Sequence, residues 1–192
     1  VPLFTGLILL GGSLFRDFPI VSTAMGARFS EVKKAGLPGI ISLFIGVALS
    51  FFSGALLAAA MGYTDAKSMA TIGAGACSFI VGPITGAAIG AGSDVIAISI
   101  AVGVAKSVAV SIGTGPIATA IGLNNPKAAM IFGGLAGTTS GVAAGLATID
   151  PKLVPYGAIT ATFYTGLGCL FCPSVLYFAL QWITTLVGSG GS

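Results

Sequence analysis

A single lysine, Lys106, interrupts the apolar stretch VGVAKSVAV at positions 102–110. A charged side chain in the core of a membrane costs about 2.5–3.5 kcal/mol on insertion scales, and such residues usually serve a function. An ammonium group in this position can neutralise a bound anion or line the path of one. The alternative is that the side chain extends along its helix toward a break at Gly113, roughly 10 Å away. We favour the first interpretation, in which Lys106 faces an anionic substrate.

Hydroxyl groups form the second set of candidate ligands. Thr138, Thr139 and Ser140 are consecutive, and Ser78 and Thr85 lie in an earlier glycine-rich region. Hydroxyl and backbone carbonyl oxygens can coordinate Na⁺, although Ser and Thr hydroxyls also bond back to their own helix. These side chains therefore predict a site that binds an anion together with a small cation.

Asp94 is the one carboxylate that falls inside the apolar spans. It lies about 18 Å from Lys106 along a straight helix, so the two do not pair directly. We expect Asp94 to cap its helix together with Ser93 and to contact a cation. The predicted substrate ligands are Thr85, Gly86, Lys106, Gly137, Thr138, Thr139 and Ser140. The predicted cation ligands are Ser78, Ser93, Asp94 and Asn124, and neither a structural metal ion nor an organic cofactor is expected.

Two glycine-rich stretches must position these groups. In VGPITGAAIGAGSD (81–94) the glycines at 82, 86 and 90 are four residues apart, and IFGGLAGTTSGVAAG (131–145) repeats this spacing at 133, 137 and 141. Each stretch follows a short polar corner, GYTDAK (62–67) or GLNNPK (122–127). The corners correspond at an offset of 60 residues and the glycine series at an offset of 51, which predicts an internal repeat with an insertion or deletion.

Glycine-interrupted segments in matching halves of a membrane protein are typical of a transporter binding site. Glycine permits backbone outside the helical range, and the freed amides at the start of a broken helix attract anions. Gly-x-x-x-Gly spacing also lets two helices pack closely, which is the simpler explanation for either stretch alone. Because there are two stretches, we favour a binding role. Pro83 near the middle of the first one favours a segment that enters the membrane and returns.

The composition places the whole chain in a membrane. Of its 192 residues, 55% are hydrophobic and 7% are charged, against roughly 25% charged in soluble proteins. Apolar runs of about 20 residues are long enough to cross the membrane as helices. The chain has no histidine, no nucleotide-binding loop and no nucleophile paired with a base, so we do not expect an enzyme. Cys77, Cys169 and Cys172 have apolar neighbours and are expected to pack as small hydrophobic side chains.

The predicted fold is an all-α integral membrane protein, a polytopic helical bundle with two glycine-rich re-entrant or broken-helix segments in an inverted repeat. The apolar spans are predicted at 40–61, at 94–121 with a break at Gly113–Pro116, and at 154–187 with a break or tilt at Pro173. The glycine-rich segments occupy 68–92 and 128–149. If each segment crossed the membrane fully, the repeats would be parallel, and we favour the inverted arrangement.

These elements are expected to form one transmembrane domain, residues 1–187, with a first repeat over about 38–112 and a second over about 113–187. Four of the eight basic residues lie in 16–37, so this segment, with a short amphipathic helix, is predicted to be cytoplasmic and GYTDAK to be periplasmic. The chain begins at Val1, so we expect N-terminal helices to be missing. Residues 188–192 are expected to be an artificial linker.

A family resemblance rests on six stretches that cover most of the chain: RDFPIV (16–21), GYTDAKSMATIGAG (62–75), GPITGAAIGAGSDVIA (82–97), GLNNPKAAMIFGGLAGTTSGVAAGLA (122–147), DPKLVPYGAITATFYTGLGCL (150–170) and PSVL (173–176). Together they resemble the M subunit of bacterial malonate transporters. The resemblance implies a multi-pass, inner-membrane secondary transporter that works with a smaller L subunit and takes up malonate with a cation, Na⁺ in at least some members. The glycine-rich pair is also similar to the re-entrant hairpins of citrate:sodium symporters.

The leading hypothesis is therefore a subunit that imports malonate by symport with Na⁺ or H⁺, the substrate being held by the two Gly/Ser/Thr-rich segments in the middle of the membrane. Because carboxylates and histidines are scarce in the spans, we expect Na⁺ bound by oxygens or a proton carried on malonate itself. The alternatives are a non-transporting scaffold or channel-like subunit, and a transporter of another small di- or tricarboxylate.

Overall fold

The computed structural model describes residues 29–189, with side chains described for 36–186. The helices are α1 (Phe29–Ala60), α2 (Ala66–Cys77), α3 (Val81–Ile89), α4 (Ser93–Ile117), α5 (Pro126–Ala136), α6 (Thr139–Ala147), α7 (Val154–Phe171) and α8 (Tyr177–Ser189). A 3₁₀ turn at Pro151–Leu153 precedes α7, and a π-helical turn at Cys172–Leu176 joins α7 to α8. These residues contain no strand, so the all-α prediction is confirmed. Most of the predicted cytoplasmic segment lies outside the described residues.

Three helical segments are long and apolar enough to cross a membrane, namely Gly36–Ala60, Ser93–Ile117 and Pro151–Leu186. They coincide with the three predicted spans. Large apolar side chains such as Leu56, Ile112 and Phe178 are exposed along their outer faces. Exposed apolar surface of this extent is typical of helices that contact lipid or another membrane subunit.

Neither proline breaks its helix as the sequence predicts. Pro173 lies in the π-helical turn between α7 and α8, and Pro151–Leu186 runs through it as one helical segment. A full break at Pro173 is therefore wrong, and the tilt stays a prediction. The break predicted at Gly113–Pro116 is wrong, because α4 continues to Ile117. Pro116 is the next-to-last residue of α4, where the missing N–H removes only one hydrogen bond and little helix remains to be displaced.

α2 and α3 form a helical hairpin, named hairpin 1 (residues 66–89). The facing pairs are Gly75 with Gly82, Thr71 with Gly86, and Lys67 with Gly90. Sequence numbers rise along one helix as they fall along the other, so the two helices are antiparallel. The tip is Ser78–Ile80, and Pro83 lies beyond it in the first turn of α3. The expectation that Pro83 makes the break is therefore wrong, since a proline in a first helical turn lacks only an N–H that has no helical partner.

α5 and α6 form the corresponding hairpin 2 (residues 126–147). Gly157 of α7 contacts Ala129 of α5 as well as Val142 and Leu146 of α6, which places the two arms side by side. The tip is Gly137 and Thr138, with Gly137 in the left-handed conformation at φ 71°. All four hairpin helices have 9–12 residues, or roughly 14–18 Å, which is too short to cross the hydrocarbon core alone.

The two hairpins open in opposite directions, and both tips pack on the middle of α4. At the tip of hairpin 1, Phe79 packs on Gly103, and at the tip of hairpin 2, Thr138 bonds to Ser107 one helical turn later. Beyond these points, hairpin 1 extends toward the start of α4, where Gly86 contacts Ile96. Hairpin 2 extends toward the end of α4, where Gly145 contacts Thr114. The arrangement is therefore inverted.

The corners confirm the offset of 60 residues. Tyr63 N–H donates to Ala58 O in one corner, and Leu123 N–H donates to Ala118 O in the other. The glycine series do not correspond in the same way. The first series runs through α3, whereas the second crosses the tip of hairpin 2. The prediction that the two series occupy matching positions is wrong, because similar spacing arose from close helix packing in one case and from a turn in the other.

Candidate functional site

Lys106 is held at the tip of hairpin 1. Its Nζ donates to the Ser50 hydroxyl at 3.0 Å and to the Cys77 carbonyl at 3.2 Å. Cys77 is the last residue of α2, so this carbonyl lies at the negative end of the helix dipole. The alternative in which Lys106 extends toward Gly113 is wrong, because the ammonium group points across the bundle to neutral oxygens.

Tyr164 of α7 completes the surroundings of the ammonium group. The centre of its ring lies 5.3 Å from Lys106 Nζ, which is within the range of a cation–π interaction. The phenol is buried and donates to the carbonyl of Gly46 in α1 at 3.2 Å. The ring also packs against Gly137 at the tip of hairpin 2, where a Cβ atom would clash with it. One side chain thus contacts α1, Lys106 of α4 and the tip of hairpin 2.

The tip of hairpin 2 supplies hydroxyls and amides. Thr138 is fully buried, and its hydroxyl shares a hydrogen bond with Ser107. It is the N-cap residue of α6, yet its side chain makes no capping hydrogen bond to that helix. The first backbone N–H groups of a helix have no helical partners. Thr139 is partly buried and Ser140 is exposed, so the substrate ligands predicted here lie at the positive end of α6.

Thr85 and Gly86 lie on α3, away from the tip of hairpin 1. Gly86 is a packing residue, since a Cβ atom there would clash with Thr71 and Ile96. Thr85 is fully buried, and its Oγ1 is the only buried side-chain polar atom in the described residues that lacks a hydrogen-bond partner. An unpartnered buried hydroxyl costs about 1–3 kcal/mol. Thr85 therefore remains a candidate ligand for polar cargo.

The four predicted cation ligands do not lie together. Ser78 is buried at the tip of hairpin 1, whereas Ser93 and Asp94 are exposed in the first turn of α4. Asn124 is exposed in the second corner, beyond the other end of α4, roughly 40 Å from Asp94 at the rise of a helix. The expectation that Asp94 and Ser93 cap α4 is wrong, because the N-cap is Gly92 and no side chain caps the helix.

Three contributors to the central cluster carry no signal that sequence reasoning used. Ser50 and the Cys77 carbonyl lie in ordinary apolar helices, and Tyr164 is one of four tyrosines in the chain. The apolar nature expected for the cysteines fits their burial, with Cys77 Sγ 3.9 Å from Cys172 Sγ. A surface groove of about 480 Å³ lies elsewhere, lined by Ala66 and by α8 residues that include Phe178 and Trp182.

A comparison with protein families shows which family the chain belongs to. The profile of the malonate/sodium symporter MadM subunit matches residues 1–184. The chain belongs to this family. No curated protein and no solved structure matches it. The family assignment confirms the resemblance found in the sequence and makes this MadM-family chain a subunit of a membrane transporter.

Proposed function

We propose that this MadM-family subunit takes up malonate together with Na⁺ across the bacterial inner membrane, in a complex with a smaller L subunit. The observation that carries the proposal is the position of Lys106 beside two hairpin tips that pack on the middle of α4. We infer that both hairpins are re-entrant, since their short helices enter from opposite ends and stop at the same level. The substrate then binds at the two tips.

The chemistry of this region suits a dicarboxylate. Lys106 supplies a positive charge, and the start of α6 supplies backbone N–H groups together with the hydroxyls of Thr138, Thr139 and Ser140. Helix N-termini and ammonium groups both bind carboxylates. Gly137 lets the chain turn tightly enough to bring this helix start against α4. Thr85, with its unpartnered hydroxyl, is a further candidate ligand.

The negative charge of the substrate requires that a cation is transported with it. Malonate carries up to two negative charges, and uptake against an inside-negative potential is opposed by about 2.3 kcal/mol per charge per 100 mV. The only carboxylate in the three spans is Asp94, which is exposed in the first turn of α4. Oxygen ligands for Na⁺ are abundant near the tips, whereas groups for a proton relay are scarce. We therefore infer that Na⁺, or a proton carried on malonate itself, compensates the charge.

The test is uptake of radiolabelled malonate by proteoliposomes that contain both subunits. Lys106→Met should reduce uptake by at least about 30-fold, since truncating a buried charged partner of a ligand costs 2–5 kcal/mol. Lys127→Met, in the exposed second corner, is the matched control and should leave uptake unchanged. Normal uptake by Lys106→Met would refute the site. Competition by unlabelled succinate or citrate stronger than by malonate would identify another carboxylate as the substrate.

A further inference from the structure

The ammonium group of Lys106 is held in this structure by neutral groups alone. Its hydrogen bonds go to the Ser50 hydroxyl and the Cys77 carbonyl, and the ring of Tyr164 faces it. Within the described part of the chain, no carboxylate forms a hydrogen bond or an ion pair with it. Among the residues that the structure describes, the positive charge in the middle of this helix therefore has no counter-ion.

The groups around Lys106 Nζ are those that a small monovalent cation prefers. They comprise a carbonyl at the C-terminal end of α2, a hydroxyl and an aromatic face, and all of them attract positive charge. Unwound carbonyls and helix C-terminal ends coordinate Na⁺ in other transporters with broken helices. The phenol group of Tyr164 donates to the Gly46 carbonyl, which fixes the position of its ring beside the ammonium group.

We propose that these groups form the Na⁺ site and that Lys106 occupies it as a tethered cation when no substrate is bound. The proposal rests on the proposed function. Malonate binding draws the ammonium group toward a carboxylate, which frees the Cys77 carbonyl and the Ser50 hydroxyl for Na⁺. Because each ligand then favours the state that binds the other, their affinities are coupled reciprocally. The site shares only the neighbourhood of Ser78 with the four cation ligands predicted from the sequence.

The test measures binding of radioactive Na⁺ to the purified two-subunit complex, with choline as the replacement cation. In the unmodified complex, malonate should lower the half-saturating Na⁺ concentration at least 10-fold. In Lys106→Met, Na⁺ should bind without malonate at the concentration that the unmodified complex requires with malonate. If Lys106→Met binds Na⁺ no better than the unmodified complex does without malonate, the tethered-cation mechanism is wrong although malonate transport still stands. If the unmodified complex shows no malonate-dependent Na⁺ binding, the proposed Na⁺ coupling itself fails.

A second variant tests the site without altering the charge. Ser50→Ala removes one oxygen ligand and should raise the half-saturating Na⁺ concentration of the malonate-saturated complex at least 5-fold. Ser53→Ala is the matched control, because Ser53 is exposed one turn further along α1 and bonds only to the Ser50 backbone carbonyl. Equal Na⁺ affinities in the two variants would overturn the assignment, even if Lys106→Met failed to assemble.

Discussion

The corner that precedes hairpin 1 and the corner that precedes hairpin 2 have the same local conformation. The Asp65 side chain caps α2 by accepting from Ser68 N–H, and the Asn125 side chain caps α5 by accepting from Ala128 N–H, both at 2.9 Å. A glycine with positive φ, Gly62 or Gly122, precedes each cap. Local sequence thus sets the entry of both hairpins in the same way, and the difference between them begins at the tips.

The two tips present opposite polarity to the middle of α4. The tip of hairpin 1 holds Lys106 through the Cys77 carbonyl, which is an acceptor at the end of a helix. The tip of hairpin 2 turns at Gly137 and presents the hydroxyl of Thr138 and the first amides of α6. Under the proposed function, we assign the acceptor tip of hairpin 1 to the cation and the donor tip of hairpin 2 to the carboxylate.

The largest expected effect concerns the faces on which the hairpins open. Because the repeats are inverted, single cysteines at Tyr63 and Asn124, in a background without the three native cysteines, should differ completely in labelling by an impermeant maleimide added to intact cells. Tyr63→Cys should be labelled from the periplasm, and Asn124→Cys should be labelled only after the membrane is opened. Labelling of both from outside would mean that the hairpins open on the same face, and the comparison would fail.

The next effect compares how tightly the two tips are packed against their neighbours. Gly103→Ala should destabilise the protein by about 3 kcal/mol or more, because its Cβ would clash with the rigid backbone of Phe79. Gly137→Ala should cost about 2 kcal/mol, because the residue has positive φ and the atoms that oppose its Cβ belong to a side chain, Tyr164, and not to backbone. Gly113→Ala, which meets no atom within 4 Å, is the control and should be neutral or slightly stabilising.

Thermal unfolding of the purified protein in detergent gives the order of these variants. A larger loss in Gly137→Ala than in Gly103→Ala would show that the tip of hairpin 2, and not that of hairpin 1, is the more rigidly packed.

A smaller effect is expected at Thr85, whose hydroxyl has no partner in hairpin 1. Thr85→Val should raise the unfolding free energy by up to about 1 kcal/mol, since it removes an unsatisfied buried polar group of nearly the same shape. If the hydroxyl binds cargo, the same variant should lose malonate uptake. Thr114→Val is the control, because that buried hydroxyl already donates to Val110 O and its loss should not improve stability. Uptake unchanged in Thr85→Val would remove Thr85 from the site.

The sequence predicts those parts of the molecule that local chemistry determines. The three spans and the two corners follow from the length of the apolar runs and from the polar residues between them. Lys106 is predicted because a charge in an apolar span is exceptional, whereas its partners are not predictable. Ser50, Cys77 and Tyr164 lie 27 to 114 residues apart along the chain, by their positions. Only tertiary packing brings the Cys77 carbonyl and the Tyr164 ring to the same ammonium group.

The smallest expected effect is a difference in pH dependence between the stabilisation by the Asp65 cap and that by the Asn125 cap. Desolvation of Asp65 opposes the shift, but hydrogen bonds from Ser68 and nearby backbone amides lower the pKa of this carboxyl below its ordinary value. Its ionised form therefore stabilises the folded state fully at pH values above the ordinary carboxyl pKa, and the stabilisation is lost as the pH falls through the folded-state pKa. Asn125, which caps α5 with the same geometry, does not titrate.

Asp65→Ala and Asn125→Ala should each cost about 1 kcal/mol at pH 7. As the pH falls below the folded-state pKa of Asp65, the Asp65 variant should approach the unmodified protein in stability while the Asn125 variant keeps its deficit, as measured by thermal unfolding across the pH range. An Asp65 deficit that persists unchanged at low pH would show that this cap stabilises hairpin 1 through contacts that do not depend on its charge.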